Sequence, residues 1–331
     1  MKKLLVIRFS SIGDIVLTSP VVRCLKEQIP EVEIHYLTKK QFIPILQSNP
    51  YIKKIHLFKD NFQELVPTLR DEQFDHVIDL HKNLRSHYIR YKLGRPSTTF
   101  PKLNLQKWLI TALHIDRLPR IHIVDRYFMA AEKLGVKNDL KGLDYFLLDS
   151  EHVDIPKRFP EIQGEFIAIA IGAKHQTKIF PAHRVTTLCD QLPLPVILLG
   201  GKEDMARGEK IVEETTTTVV NACGVLPLNA SASVIDQAKW VISNDTGLMH
   251  IAAALKKPII SIWGNTIPEF GMYPYLPKGM EQLSAVIEVP GLPCRPCSKL
   301  GYNACPKGHF DCMEKINIEE ILMAVREGIR E

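Results

Sequence analysis

One short stretch late in the chain contains several residues that could bind an anion. Positions 243–250 read Ser-Asn-Asp-Thr-Gly-Leu-Met-His, between an apolar run and a helical segment that stops before Pro258. This order predicts a strand, a turn and the first turn of a helix, where unpaired backbone N–H groups and the helix dipole favour an anion such as diphosphate. Asp245 is the expected N-cap, and an ordinary capped helix is the alternative. The residues expected to face the ligand are Thr246, Gly247 and His250.

A carboxylate occupies the loop after the first predicted strand. Residues 10–14 read Ser-Ser-Ile-Gly-Asp, and Ser19 followed by proline predicts a new helix with Ser19 as its N-cap. Asp14 is therefore expected on a short irregular turn at a strand end, which is where ligands bind in open α/β sheets. A carboxylate there can accept the proton of a substrate hydroxyl as a general base. The alternative is that Asp14 only caps its local turn.

Two loops of the second half could bind phosphate and sugar groups. The loop 172–181 combines a glycine with the hydroxyl of Thr177 and the charge of Lys178, a composition that suits phosphate contact. Lysines in loops are also commonly just solvated. A second loop begins Gly-Gly at position 200, which would let a ligand lie on the backbone, and Glu203 could accept hydrogen bonds from ribose hydroxyls.

Several familiar motifs are missing from the sequence. There is no G-x-G-x-x-G and no G-x-x-x-x-G-K-[ST], which argues against a nicotinamide dinucleotide site and against a P-loop. There is also no Asp-x-Asp pair of the kind that holds a divalent metal on a sugar nucleotide. A diphosphate would therefore be neutralised by helix termini and cationic side chains, and we expect no catalytic metal and no cofactor.

Length and composition indicate a globular protein of two domains. The chain has 331 residues, more than a single core usually contains. The formal net charge of +5 is mild and points weakly to an acidic partner. The apolar run at the start is ended by Arg8 too early for a signal peptide, so it predicts a buried strand. No run approaches the ~18 apolar residues of a membrane span, and a cytoplasmic location is expected.

Short apolar runs alternate with amphipathic segments, which predicts parallel sheets covered by helices. Two similar α/β domains with their sheets facing across a cleft are expected, with residues 1–150 and 165–315 as the domains and the polar segment 149–164 between them. The predicted strands are Leu4–Phe9, Val32–Leu37, Lys54–Leu57, His76–Leu80, Phe166–Ile171, Val196–Leu199, Thr218–Asn221, Trp240–Ser243 and Ile259–Trp263.

The stretch from His81 to Asp125 is far more basic than the rest of the chain. It contains nine basic and two acidic residues, a net charge of +7, with aromatic residues interleaved. Such a stretch could contact an acidic sugar, a lipid phosphate or an anionic membrane surface. Single-stranded nucleic acid is a rival ligand, and a solvated helix face is the plain alternative. We expect Lys82 and Arg85 to contact the acceptor.

Four cysteines form a cluster near the end of the chain. Cys294 and Cys297 are a C-x2-C pair, and Cys305, His309 and Cys312 follow within ~20 residues, which resembles a structural zinc site. The second pair has a longer spacing, which weakens the match. A disulfide is disfavoured in the cytosol. No catalytic role is expected for the cluster.

Four motifs in this order carry a family resemblance. R-x-S-S-I-G-D near the start, G-A-x-x-x-T-K-x-x-P at mid-chain, G-G-x-E-D and N-D-T-G-x-x-H together resemble glycosyltransferase family 9, the ADP-heptose:lipopolysaccharide heptosyltransferases. The resemblance implies the GT-B fold, an α/β architecture of two Rossmann-like domains. It also implies that a C-terminal helix, within residues 316–331 and at about Ile318–Ile329, packs back on the first domain.

The resemblance implies inverting, metal-independent transfer of heptose from ADP-heptose to an inner-core lipid A acceptor. Asp14 matches the family's base, Lys178 matches its phosphate-contacting lysine, and residues 245–250 match its diphosphate-binding turn. Glu203 is a looser match on the donor side. The N-terminal domain would bind the acceptor, with Ser11 and Gly13 contributing, and the C-terminal domain would bind the nucleotide sugar.

Two alternatives remain open at this point. The donor could be another nucleotide sugar, or the protein could be a non-catalytic nucleotide- or nucleic-acid-binding module that uses the cysteine cluster and the basic stretch. The carboxylate of Asp14 favours the enzyme, because a binding module needs no base in that loop. The enzyme interpretation implies a nucleotide-sugar donor, an anionic glycolipid acceptor and peripheral contact with the cytoplasmic face of the inner membrane. It implies no nucleic acid and no obligate protein partner.

Overall fold

A computed structural model of the chain describes residues 2–59 and 61–327. Contacts divide these residues into two units. The first contains the described residues up to Lys102 together with Ile121–Phe146, and the second contains Leu103–Arg120 together with the described residues from Leu147 onward. Residues 103–120, which sequence reasoning counts in the first domain, therefore group with the second unit. The roles expected for the two domains stay predictions.

The first part of the chain alternates strands and helices as expected. Its elements are β1 (Lys3–Ile7), α1 (Ile12–Val16), α2 (Ser19–Gln28), β2 (Glu33–Thr38), α3 (Ile43–Leu46), β3 (Lys54–Leu57), α4 (Phe62–Asp71), β4 (His76–Asp79), α5 (Leu84–Leu93), β5 (Ser97–Thr99), α6 (Asn104–Leu113) and α7 (Ile123–Ala131). Of these, α6 belongs to the second unit.

The remaining elements belong to the second unit. They are α8 (Ile155–Arg158), β6 (Ile167–Ala170), α9 (Ala182–Cys189), β7 (Val196–Leu199), α10 (Met205–Glu214), β8 (Val219–Asn221), α11 (Leu228–Gln237), β9 (Trp240–Asn244), α12 (Gly247–Ala254), β10 (Ile259–Trp263), β11 (Ser284–Glu288), α13 (Asp311–Glu314) and α14 (Ile318–Glu327). No helix in the described part of the chain is long and apolar enough to cross a membrane.

The sheet of the first unit is parallel and has the strand order β3-β2-β1-β4-β5. Strand β1 reads Lys-Leu-Leu-Val-Ile and its last four residues are buried, as is typical of parallel strands covered on both faces. From β1 the chain first forms β2 and β3 on one side of that strand, and then forms β4 and β5 on its other side. The carboxyl ends of β1 and β4 therefore flank a switch point, where open α/β sheets bind their ligands.

The sheet of the second unit repeats this plan with the order β11-β10-β9-β6-β7-β8. Its strands are also paired in parallel, and every residue of β6, β7, β9 and β10 is buried. Here the order reverses between β6 and β9, so the loops after these two strands flank the second switch point.

Helix α14 contributes to the core of the second unit. Its residues Ile318, Ile321, Leu322 and Val325 belong to the buried cluster that also contains residues of β6, β7, β9 and β10. Part of the predicted range, residues 328 and 329, lies outside the described residues. Packing of this helix on the first domain stays a prediction.

The predicted strands correspond to nine of the observed ones, within one or two residues at each end. Sequence reasoning missed β5 and β11: β5 reads Ser-Thr-Thr, which lacks an apolar signal, and β11 exposes Val286. The segment 149–164 is part of the second unit and contains the short helix α8. The expected N-cap at Ser19 is wrong, because Thr18 precedes the helix and Ser19 is its first residue.

Candidate active site

An ion pair between Arg8 and Asp14 lies at the switch point of the first unit. Arg8 directly follows β1 and Asp14 lies on the short helix α1, with 2.6 Å between the Arg8 Nη2 and Asp14 Oδ1 atoms. The guanidinium is fixed by two further hydrogen bonds, to the carbonyls of Ser10 and Leu80. Arg8 is buried, whereas the side chain of Asp14 keeps about a quarter of its surface exposed. The carboxylate is therefore held in one place and remains accessible.

The other carboxylate oxygen of Asp14 is bound by the start of its own helix. The backbone N–H of Ser11 donates to Asp14 Oδ2 over 3.1 Å, and the Ser11 hydroxyl donates to the same atom over 2.8 Å. The expectation of an irregular turn is wrong, because Asp14 is the third residue of α1 and caps that helix from within. Local capping and a chemical role are thus compatible, since capping uses Oδ2 and leaves Oδ1 to Arg8.

The surroundings of Asp14 keep it ionised. Burial by itself would raise the pKa of this carboxyl, but the charge of Arg8 and the hydrogen bonds from Ser11 more than offset that effect and lower the pKa. Asp14 is therefore a carboxylate at neutral pH. It can accept a proton only from a group whose acidity rises during a reaction.

The strand next to β1 supplies the rest of this edge. Asp79, the last residue of β4, is fully buried and accepts hydrogen bonds from the backbone N–H groups of His81 and Lys82 and from the Ser86 hydroxyl. This network shapes the turn that carries Lys82. Burial, together with the charges of Arg8 and Lys102, lowers the pKa of His81 to about 3, so the ring is neutral.

The four predicted acceptor residues lie in two different loops of the first unit. Ser11 and Gly13 flank the start of α1 next to Asp14. Lys82 follows β4 and donates to the Phe100 carbonyl over 2.8 Å, and Arg85 in α5 lies over the ring of Phe58, with 5.9 Å between its Cζ and the ring centroid. Since β1 and β4 are neighbours, these residues share the edge that carries Asp14. Their contact with an acceptor stays a prediction.

A second ion pair lies at the switch point of the second unit. Lys178, from the loop after β6, pairs with Asp245, from the turn after β9. Asp245 also accepts a hydrogen bond from the Thr266 hydroxyl over 3.0 Å. The expected N-cap at Asp245 is wrong: Thr246 occupies the N-cap position of α12 because the carboxylate of Asp245 turns towards Lys178 and Thr266. Gly247 begins the helix, and His250 is buried in its first turn.

Asn244 connects the two loops of this second site. Its side-chain amide donates to the carbonyls of Ala170 and Ile171 at the end of β6, each over 3.3 Å. Its oxygen accepts from the backbone N–H of Phe180 over 3.2 Å. Asn244 therefore holds the Lys178 loop against the end of β9. Sequence reasoning gave it no role, although its place directly before Asp245 at a strand end was a usable signal.

Thr177 is buried and serves its own loop in this structure. Its hydroxyl accepts from the Tyr302 N–H over 2.8 Å and its N–H donates to the Tyr302 carbonyl over 3.2 Å. A phosphate contact by Thr177 stays a prediction. The structure gives a glycine of each loop a structural function: a Cβ atom at Gly172, or at Gly200 of the Gly-Gly pair, would overlap the buried side chain of Asp204. Glu203 is exposed at the same turn, and its ribose contact stays a prediction.

The predicted residues thus form two groups, each on its own unit. Asp14, Ser11, Gly13, Lys82 and Arg85 lie at the switch edge of the first sheet. The residues at the switch edge of the second sheet or in the loop that follows β7 are Thr177, Lys178, Glu203, Asp245, Thr246, Gly247 and His250. The residue pairs Arg8–Asp14 and Lys178–Asp245 were not predicted as pairs, because sequence spacing does not show which side chains meet.

Two Rossmann-like units with charged groups at their switch points define a protein of the GT-B glycosyltransferase class. Solved structures of this class match nearly the whole chain. A glycosyl transferase of family 9 from Veillonella parvula superposes with a TM-score of 0.79 at 22% identity, covering 99% of this chain and 97% of that one. The ADP-heptose lps heptosyltransferase II of E. coli gives 0.76 at 21% identity, covering 99% and 98%. The GT-B fold predicted from sequence is confirmed.

The chain belongs to glycosyltransferase family 9 (heptosyltransferase), whose sequence profile matches residues 62–299. Among characterised relatives, lipopolysaccharide heptosyltransferase 1 of Campylobacter coli is 26% identical, with 80% of this chain and 84% of the relative aligned. Lipopolysaccharide heptosyltransferase 2 of Escherichia coli K12 is 24% identical, with 81% and 84% aligned. The family predicted from the four motifs is confirmed.

Proposed function

We propose that the protein transfers heptose from ADP-heptose to a hydroxyl of an inner-core lipid A acceptor, with inversion and without a catalytic metal. The acceptor oxygen forms a bond to the anomeric carbon while the bond from that carbon to the diphosphate breaks. The hydroxyl proton passes to a base, and ADP leaves with the electron pair of the broken bond. A single displacement of this kind inverts the anomeric configuration.

The Asp14 carboxylate is the observation that carries this proposal. It is ionised, partly exposed and fixed on both oxygens, so it can receive a proton without rearranging. Its lowered pKa makes it a weak base towards an unreacted alcohol. The acceptor hydroxyl becomes acidic only as its oxygen bonds to carbon, so proton transfer is favoured late in the displacement. This timing limits abstraction of protons from water.

The second unit supplies what the departing diphosphate needs. Lys178 offers a cation, and the start of α12 at Gly247 offers backbone N–H groups with the positive end of a helix dipole. Both favour negative charge that develops on the leaving oxygen. In the described residues of this site, Asp245 is the acidic partner of Lys178, and no Asp-x-Asp pair holds a metal there.

The exposed surface of residues 103–120 supports peripheral contact with an anionic membrane. Helix α6 and the loop after it expose several large apolar side chains, and basic residues accompany them. Apolar and cationic groups together suit the interface of an anionic bilayer. The apolar residues are Leu105, Trp108, Leu113 and Ile115. We place the protein at the cytoplasmic face of the inner membrane, where its lipid-linked acceptor would be made.

The experiment combines binding and turnover. Thermal stabilisation by ADP-, UDP- and GDP-sugars ranks the donors, since a ligand that binds the folded state raises its stability by mass action. Transfer from ADP-heptose to a lipid A core acceptor lacking heptose then tests the reaction, and NMR of the product gives the anomeric configuration. Stabilisation without transfer would favour a binding module, a preference for another donor would change the substrate, and a strict requirement for added Mg²⁺ would contradict the mechanism.

A further inference from the structure

The four clustered cysteines of the second unit surround one small cavity. All four are free thiols, and they line a small space of about 10 Å³, roughly the size of one water-sized sphere. The lining thiols are those of Cys294, Cys297, Cys305 and Cys312. Residues up to 18 positions apart in sequence thus line one common cavity. Cys223, a buried cysteine elsewhere in the same unit, belongs to the apolar core cluster instead.

An unsatisfied amide lies at the wall of the same cavity. Asn265 is 2% exposed, and neither its Nδ2 nor its Oδ1 atom has a hydrogen-bond partner. A buried amide without partners is costly, so native proteins almost always satisfy it. Thiolate sulfurs would accept hydrogen bonds from Nδ2, whereas neutral thiols are poor acceptors. Ionised sulfurs in this cavity would therefore give Nδ2 the acceptor that it lacks.

His309 is oriented as a donor towards this cluster. Its Nδ1 accepts a hydrogen bond from the backbone N–H of Asp311 over 3.0 Å, and in the tautomer that accepts this bond the proton lies on Nε2. Nε2 lies 3.8 Å from the Cys294 sulfur. A protonated Nε2 cannot ligate a metal, but it can donate to a metal-bound sulfur, as groups around metal ligands commonly do.

We propose that Cys294, Cys297, Cys305 and Cys312 bind one divalent, thiophilic metal ion, with Zn²⁺ as the reference ion and His309 and Asn265 as hydrogen-bond donors to the sulfurs. Each thiol releases its proton to solvent as its metal–sulfur bond forms. Soft thiolate ligands select zinc or iron over magnesium and calcium. The negative sulfurs would accept from Asn265 Nδ2.

Metal binding would draw the thiols together. A tetrahedral ion with bonds of about 2.3 Å keeps its sulfurs about 3.8 Å apart. Among the described residues, the only three possible ligand atoms within 4.8 Å of one another belong to His35, His56 and Glu72 in the first unit. The sulfur atoms of the four cysteines are therefore farther apart than they would be around a bound ion. The first-unit set is already satisfied, because the two rings hydrogen-bond each other and Glu72 pairs with Lys3 and Lys54.

The metal would stabilise the loops that carry the second ion pair. Arg295, between the first two cysteines, donates to the carbonyls of Gly264 and Thr266, and Thr266 in turn bonds Asp245. Tyr302, between the second and third cysteines, binds Thr177 next to Lys178. The ion would therefore be structural: it would fix the cysteine loop against the loops that follow β6 and β10, without touching a substrate.

The test measures metal in the intact, full-length chain. Protein produced with zinc in the medium is expected to contain one ion per chain by mass spectrometry of metals, and replacement by Co²⁺ should give sulfur-to-cobalt charge-transfer absorption. Metal-free wild type should bind added Zn²⁺ and shield its four clustered thiols from alkylation. Failure to take up zinc, or a Cys294–Cys297 disulfide in protein isolated under alkylating conditions, would overturn the proposal.

Variants locate the ion and do not depend on a single substitution that may unfold the chain. Cys297→Ser with Cys305→Ser should abolish binding, whereas the matched control Cys223→Ser, a buried thiol of the same unit, should keep one ion. His309→Ala should keep the ion with about 10–100-fold weaker affinity, as expected for a donor to a ligand. Loss of the metal in His56→Gln, with retention in the cysteine variant, would place the ion in the first unit and refute the assignment.

Discussion

The two candidate sites use the same pair of charges in opposite roles. In the first unit the partly exposed carboxylate of Asp14 is the group proposed to act as the base, and the buried Arg8 holds it. In the second unit Lys178 is the group proposed to meet the substrate, and Asp245 holds it. Both pairs lie at the switch point of a parallel sheet, where the fold leaves room for a ligand. The fold therefore determines where a ligand can bind, and the side chains at each switch point determine which chemistry is possible there.

The holding residues differ in a way that fits these roles. Arg8 keeps its charge at any accessible pH and distributes its hydrogen bonds over Ser10, Leu80 and Asp14, so the carboxylate proposed as the base stays ionised and oriented. Lysine is a flexible point charge with rotatable donors. Lys178 can therefore leave Asp245 for a diphosphate, while Asp245 keeps its bond from Thr266.

The largest effect is expected for the working carboxylate. Asp14→Asn should lower turnover by ~10²–10⁴, the usual cost of losing a general base, because the amide has nearly the size of the carboxylate but cannot accept the proton. Donor affinity should stay nearly unchanged. Steady-state kinetics and nucleotide titration check both, with Asp71→Asn on the exposed face of α4 as the control. Near-normal turnover would remove Asp14 from the mechanism.

Replacing Lys178 should have a smaller effect, on donor binding rather than on turnover. Lys178→Ala should weaken donor binding by about 10–100-fold, since hydrogen bonds to charged groups contribute about 1.5–3 kcal/mol. Thr246→Val and Asp245→Asn should weaken it less, because both leave the lysine charge in place. Calorimetric titration with the nucleotide sugar measures these affinities.

The matched control for Lys178→Ala is Lys174→Ala, an exposed lysine of the same loop. Equal losses in the two lysine variants would mean that general charge attraction, rather than the position of Lys178, binds the donor. A larger loss for Asp245→Asn than for Lys178→Ala would reverse the roles assigned to this pair.

Arg8, which holds Asp14, should control how the reaction rate depends on pH. In the wild type the pKa of Asp14 is lowered, so the rate falls only when the pH drops below the ordinary aspartate range. Arg8→Met removes the charge and leaves burial, which raises the pKa, so the acid limb of the kcat/KM profile should move to higher pH. Arg8→Lys should leave the limb near its wild-type position. An unmoved limb in Arg8→Met would show that another group titrates in the rate.

The lowered pKa of Asp14 should also affect the stability of the first unit at acid pH. A carboxyl whose pKa is lower in the folded state stabilises the fold above its unfolded pKa, and this stabilisation is lost as the pH falls through the folded value. Replacing Asp14 by Asn should therefore flatten the loss of unfolding free energy at acid pH. Denaturant titrations at a series of pH values measure it.

The smallest effect is expected at the basic residues near Asp14. Lys82→Ala with Arg85→Ala should raise the acceptor KM by about 2–10-fold, because each exposed charge contributes little, and added salt should mimic the change in the wild type. Donor KM should not change. Lys157→Ala with Arg158→Ala, an exposed pair of the same types on α8, is the control. A loss of donor affinity instead would place the basic stretch on the nucleotide side.

The sequence predicted the fold well because its strands are buried on both faces. Runs such as Val196–Leu199 and Ile259–Trp263 carry a strong apolar signal, and the observed bounds are the same. The polar strand β5 has no such signal. The sites were predicted as sets of residues on strand-end loops, but their internal pairing was not. The partner of Asp245 depends on where β6 and β9 place the loops that follow them. That position is set by the register of the two strands in the sheet and cannot be read from the spacing of residues in the sequence.

The grouping of residues 103–120 with the second unit also bears on how the protein can be divided. The chain passes from one unit to the other at three points, near residues 102, 120 and 146. Ile110 and Leu118 form a small buried cluster with Ile267 and Phe270, more than 140 positions later. A fragment that ends at residue 150 would separate those two side chains from their partners in the second unit, so a single cut at that point does not follow the boundary between the units.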